Sequence, residues 1–76
     1  MRTETLVGLL NRPGYCVVIQ HGTGKAWVAQ ALPGTWRSYS CRIPMPVKFA
    51  NRLSLLLDLV KRDEFEEVTV LGKEAQ

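Results

Sequence analysis

Tyr15-Cys16-Val17-Val18-Ile19-Gln20-His21-Gly22-Thr23-Gly24-Lys25-Ala26-Trp27-Val28-Ala29-Gln30 is the stretch whose reading decides the fold. Two runs rich in β-branched and aromatic residues flank a Gly-Thr-Gly cluster, and glycine supplies the φ angles that a tight reversal needs. The pattern predicts a hairpin with strands over 15–20 and 25–32. Downstream, Pro33-Gly34 marks a second turn and residues 35–43 a third strand, which extends the hairpin into an antiparallel meander. Pro44 and Pro46 read as further turn signals.

Upstream, residues 3–10 carry Leu6, Val7, Leu9 and Leu10, which suit a short helix nearly as well as a strand. Ending at Arg12-Pro13-Gly14 before another strand favours strand. Residues 46–62 form the clear helix: a proline suited to the first turn opens it, and Phe49, Ala50, Leu53, Leu56, Leu57 and Val60 recur at helical spacing on one face. Leu55 and Leu59 fall on its opposite side beside Lys48, Arg52 and Arg62, a second contact surface for a dimer partner or for the end strand. Residues 66–71, with Val68 and Val70, read as a last strand at a sheet edge, where glutamates discourage pairing with other chains. The expected fold is α+β: a meander of three to four strands packed on one amphipathic helix, with a C-terminal edge strand.

A chain of 76 residues that is 46% hydrophobic and 22% charged has the balance of one small folded domain, over residues 1–76. Its core is close to the minimum for independent folding, so a homodimer is expected. The short apolar run 6–10 is no targeting segment and no run is long enough to span a membrane, which makes the cytoplasm the expected compartment. Cys16 and Cys41 are too few for a disulfide framework and read as buried small apolar residues, with a structural disulfide between them as the lesser alternative.

Charge is segregated along the chain. Between Thr5 and Leu57 there is no Asp or Glu, while Arg12, Lys25, Arg37, Arg42, Lys48 and Arg52 all fall there. From Asp58 onward come Asp58, Asp63, Glu64, Glu66, Glu67 and Glu74 against Lys61, Arg62 and Lys73. The formal charge of +3 thus conceals a polarised molecule, an asymmetry that argues for an anionic partner.

Catalytic signals are sparse. His21-Gly22-Thr23-Gly24-Lys25 is a poor phosphate-binding loop, with Ile19 where a glycine is needed, Ala26 where Ser or Thr is needed, and a strand rather than a helix to follow. His21 is the sole histidine. Cys16, Cys41, Ser38, Ser40 and Thr23 supply nucleophile types, but no carboxylate lies between Glu4 and Asp58 to orient a base. A non-enzyme without cofactor or metal is expected; a small ribonuclease using His21 with Lys25 or Arg42 ranks third.

The third strand, Trp36-Arg37-Ser38-Tyr39-Ser40-Cys41-Arg42-Ile43, interleaves aromatic and basic residues with small hydroxyl side chains. Strand alternation puts Trp36 and Arg42 on the open side and Tyr39, Cys41 and Ile43 toward the helix, and it gives Lys25 and Trp27 the open side of the neighbouring strand. Rings that stack on bases and cations that follow a backbone are what single-stranded nucleic acid requires. Tryptophans buried in a core or a protein interface are the competing reading.

Residues 15–20, 24–28, 37–44 and 49–60 together resemble the single-stranded-DNA-binding transcriptional coactivators and their whirly and PUR-repeat relatives: strand, Gly-Lys turn, strand, loop, a strand ending in a basic residue, then a helix with Phe49 one turn in. The resemblance implies a four-strand meander capped by one helix, assembled as a homodimer that grips single-stranded DNA or RNA without strong sequence preference. Lys25 would match the hairpin lysine; Trp27, Trp36 and Tyr39 would stack on bases. The short loop at Pro33-Gly34 and the added strand after the helix depart from that pattern. The leading expectation is a small basic nucleic-acid-binding protein using Lys25, Trp27, Trp36, Arg37, Tyr39, Arg42, Lys48 and Arg52. The alternative is a protein-interaction module, such as a small inhibitor or regulator of the kind phages and mobile elements encode, acting through the basic face on an anionic protein surface and through Leu55 and Leu59.

Overall fold

The elements run in the order α1 (Thr3–Leu10), β1 (Tyr15–Gln20), β2 (Lys25–Ala31), β3 (Tyr39–Pro46), α2 (Val47–Leu56), β4 (Val60–Phe65) and β5 (Val68–Gly72). The computed structural model describes residues 2–12, 14–31 and 39–73, with 31, 39–42 and 65 in backbone only. All five strands join one open antiparallel sheet in the order β3-β2-β1-β5-β4. The α+β class with an antiparallel sheet on helical cover is the one the sequence leads one to expect.

Both helices cover the same sheet face. Leu6 and Leu10 from α1 and Ala50 and Leu53 from α2 are buried with Val17, Ile19, Ala26, Val28 and Met45. Burying the Leu, Val, Ile and Met side chains contributes roughly 1.5–3 kcal/mol each, and this cluster is the principal core.

The hairpin forms as read. β1 pairs with β2 from Tyr15↔Gln30 to Gln20↔Lys25, and residues 21–24 make the turn. Gly22 and Gly24 take φ values of 81° and 71°, which a side chain would strain. The Thr23 hydroxyl donates to the Gln20 carbonyl at 3.2 Å and accepts from the Lys25 N–H at 3.3 Å, closing the loop.

Four expectations are corrected. Residues 3–10 are helix, not strand. Both sides of β1 are taken, by β2 and by β5, so no strand before it can pair there; as a helix, Leu6 and Leu10 sit one turn apart on the buried face. Pro44 and Pro46 lie inside β3 rather than in a turn, and an edge strand tolerates them because, among the described residues, one of its sides has no neighbouring strand to receive an N–H.

The helix expected over 46–62 ends at Leu56. Leu59 N–H donates to the Ser54 carbonyl at 2.9 Å and Asp58 N–H to the Leu55 carbonyl at 3.4 Å, while Asp58 turns left-handed at φ 50°. These are the paired hydrogen bonds of a Schellman stop. Beyond it the chain enters β4, a strand the helical reading hid. β5 therefore is not an edge strand: it lies between β1 and β4, Val70 is fully buried, and the glutamates 66 and 67 form the turn that precedes it.

Candidate nucleic-acid interface

No described helix covers the second sheet face, and the strand registers lay it out in three rows. Reading from β3 to β4, the first is Arg42, Ala29, Cys16, Gly72 and Val60; the second is Pro44, Trp27, Val18, Val70 and Asp63; the third is Pro46, Lys25, Gln20, Val68 and Phe65. Cys16, Val18, Ala29 and Val70 are fully buried, and Trp27 and Val68, both half-buried, pack against them. The face is thus an apolar patch with an indole at one side and the exposed Lys25 two residues along the same strand.

Alternation placed Lys25 and Trp27 on this face, and there they lie. Arg42 stands opposite Ala29, a register position on the same face. Tyr39 differs from expectation: the register shifts between Gln30 and Ala31, so its backbone pairs with Ala31, on the helix-free parity rather than the helix-covered one. Trp36 and Arg37 lie outside the described residues.

Lys48 and Arg52 are not brought to this site. Both are exposed on α2, one turn apart, on the helical side of the sheet. The expected pair of exposed leucines also separates. Leu55 is 80% exposed. Leu59, released from the helix by the stop at Asp58, packs against the core instead, and Leu56, expected in the core, is 66% exposed.

Charge segregation along the chain becomes segregation across the sheet. Residues 15–46, which hold β1, β2 and β3, contain no carboxylate, whereas β4 and the turn after it hold Asp63, Glu64, Glu66 and Glu67. Sequence reasoning missed Arg62 on this face. Its Cγ lies 3.2 Å from where a Cβ would stand on Gly72, so the missing side chain at Gly72 makes room for the arginine stem. A glycine inside a strand was the available signal.

Two reactive side chains are held in structural roles. Cys16 is buried beside the Ala29 carbonyl, with Sγ 3.6 Å from the oxygen, and burial pushes its thiol up to about 12. It stays protonated at neutral pH and is a weak nucleophile. His21 hydrogen-bonds through Nε2 to the Thr69 hydroxyl, and its backbone N–H donates to the Glu67 carbonyl at 2.8 Å, tying the β1–β2 turn to β5. Among the described residues no group of His, Cys, Asp and Glu side chains is placed to hold a metal ion, and no helix is long and apolar enough to cross a membrane.

Comparison of the chain with protein-family models, with curated proteins and with solved structures finds no match.

Proposed function

We propose that the protein binds single-stranded nucleic acid on the β2–β3 half of its helix-free sheet face. Trp27 offers a ring for base stacking, and Lys25 and Arg42 supply cations for phosphates on either side of it. The observation that carries this reading is the register: Lys25, Trp27 and Arg42 share one face across adjacent strands, in a half-sheet with no carboxylate. Stacking on one aromatic ring contributes about 1–3 kcal/mol per base. The segment from Thr5 to Leu57, which holds six cations and no Asp or Glu, points the same way.

The test is titration of fluorescent single-stranded DNA, single-stranded RNA and duplex DNA at two salt concentrations, beside Trp27→Leu and Lys25→Gln. Leucine keeps an apolar side chain against Val18 and Val70 while removing the ring. Weaker single-strand binding by both variants, with unfolding midpoints close to wild type, supports the proposal; unchanged binding by both contradicts it. A protein-interaction module is the second reading, favoured by the 80% exposure of Leu55, and absence of binding to all three nucleic acids would leave it as the working function.

A further inference from the structure

The two edges of the sheet differ in what they offer. β3 carries Pro44 and Pro46, which have no N–H to donate, so this edge is poorly suited to another strand. β4 contains no proline: its sequence is Val60-Lys61-Arg62-Asp63-Glu64-Phe65, and among the described residues one of its sides has no strand beside it. Read against its own reverse, this segment is charge-complementary throughout. Lys61 meets Glu64, Arg62 meets Asp63, and Val60 meets Phe65.

The faces agree as well. Lys61 stands opposite Leu71 and Glu64 opposite Thr69, both on the helix-covered side, where their own charges meet at 3.1 Å across the register shift between Lys61 and Asp63. Asp63 stands opposite Val70 on the helix-free side, where the Arg62 stem lies over Gly72. A two-fold axis normal to the sheet keeps each face continuous, and every opposite-charge pair then falls on one face. Among the described residues the exposed large apolar side chains gather at the same place: Leu55, Leu56 and Val60 all lie in the six residues entering this edge.

We propose that β4 is a self-association edge, and that its occupant is β4 of a second copy of this chain, running antiparallel about a two-fold axis between Arg62 and Asp63. The two sheets become one, with the helices of both copies on the same side. Lys61 of each copy faces Glu64 of the other, and the end of α2 with Leu55 and Leu56 approaches the junction from the helical side. The pairing does not depend on nucleic-acid binding.

Sedimentation equilibrium of the full chain, over a dilution series from millimolar to micromolar, measures the pairing through three proteins. Wild type is expected to rise from the 8.6 kDa of one chain toward twice that mass. Lys61→Glu sets Glu against Glu at both symmetric positions, and Glu64→Lys sets Lys against Lys; each is expected to weaken association by about tenfold. An equal mixture of the two variants restores opposite charges between chains and is expected to associate as the wild type does. Neither variant retains the internal ion pair, so recovery in the mixture reports a contact between chains. Thermal unfolding of each variant at micromolar concentration verifies that it is folded. A wild-type mass of one chain throughout overturns the proposal, as do variants that associate like wild type, or a mixture no heavier than its components.

Discussion

Replacing Asp58 with glycine tests the account of how α2 ends. Asp58 holds a left-handed backbone, φ 50°, at the position after the helix cap, where its N–H and that of Leu59 satisfy the carbonyls of Leu55 and Ser54. A left-handed conformation costs an ordinary L-residue roughly 1–2 kcal/mol, and somewhat less for Asp or Asn. Glycine avoids that cost but loses about 0.4–1 kcal/mol through the greater freedom of its unfolded chain. A carboxylate beside the negative end of the helix dipole adds a few tenths of a kcal/mol of penalty, which glycine also removes. The net expectation for Asp58→Gly is a gain of about 0.5–1 kcal/mol, or roughly 2–8 °C in Tm for a domain of this size. Urea denaturation at one fixed protein concentration reads it directly. Asp58→Asn isolates the charge and should gain only the small electrostatic part. Asp58→Ala removes the charge but keeps a Cβ without a side chain suited to the left-handed region, and should lose stability. If Asp58→Ala gains as much as Asp58→Gly, the backbone argument is refuted; if Asp58→Gly is destabilising, so is the assignment of the stop.

Gly8 sits in the middle of α1, exposed, where an added Cβ meets nothing within 4 Å; Gly8→Ala should therefore stabilise the fold by about 0.5–1 kcal/mol in the same urea assay. Because burial raises the Cys16 thiol to about 12 from an ordinary 9.0, the unfolded chain loses that proton at lower pH than the folded one. The stability tied to this thiol is fully present below pH 9 and is lost as pH rises toward 12. Cys16→Ala should flatten the alkaline decline in the unfolding midpoint, and peptide mapping after iodoacetamide treatment of the native protein at pH 8 should leave the Cys16 peptide unalkylated.

The meander was legible because its signals are local. Residues 15–20 and 25–30 carry β-branched and aromatic side chains around glycines that only a turn explains. What the sequence concealed is set by tertiary context. Leu6, Val7, Leu9 and Leu10 suit both periods, and the helix is selected because β5 occupies the second side of β1. β4 is dense in charge and follows a helical pattern without interruption; only an aspartate in a glycine's usual place marks the boundary. That single left-handed residue re-aims Leu59 into the core and leaves Leu56 in solvent, an exchange no helical wheel contains. In the candidate site, Lys25 and Trp27 were found by simple alternation, while Tyr39 was assigned to the wrong parity because a register shift beside Ala31 leaves no mark on composition. Lys48 and Arg52 belong to the same basic segment of the chain but to the other side of the sheet, since linear charge does not specify a face.

Salt dependence of single-strand binding tests the central claim most directly. With Lys25 and Arg42 as the two phosphate contacts, the logarithmic slope for a single strand is about −1.4, which predicts roughly a sevenfold loss of affinity between about 50 and 200 mM salt. Lys25→Gln should halve that slope, and Trp27→Leu should weaken binding at both concentrations while leaving the slope unchanged. Affinity that does not respond to salt, or a slope identical in wild type and Lys25→Gln, would contradict the assignment of the helix-free face as a nucleic-acid interface.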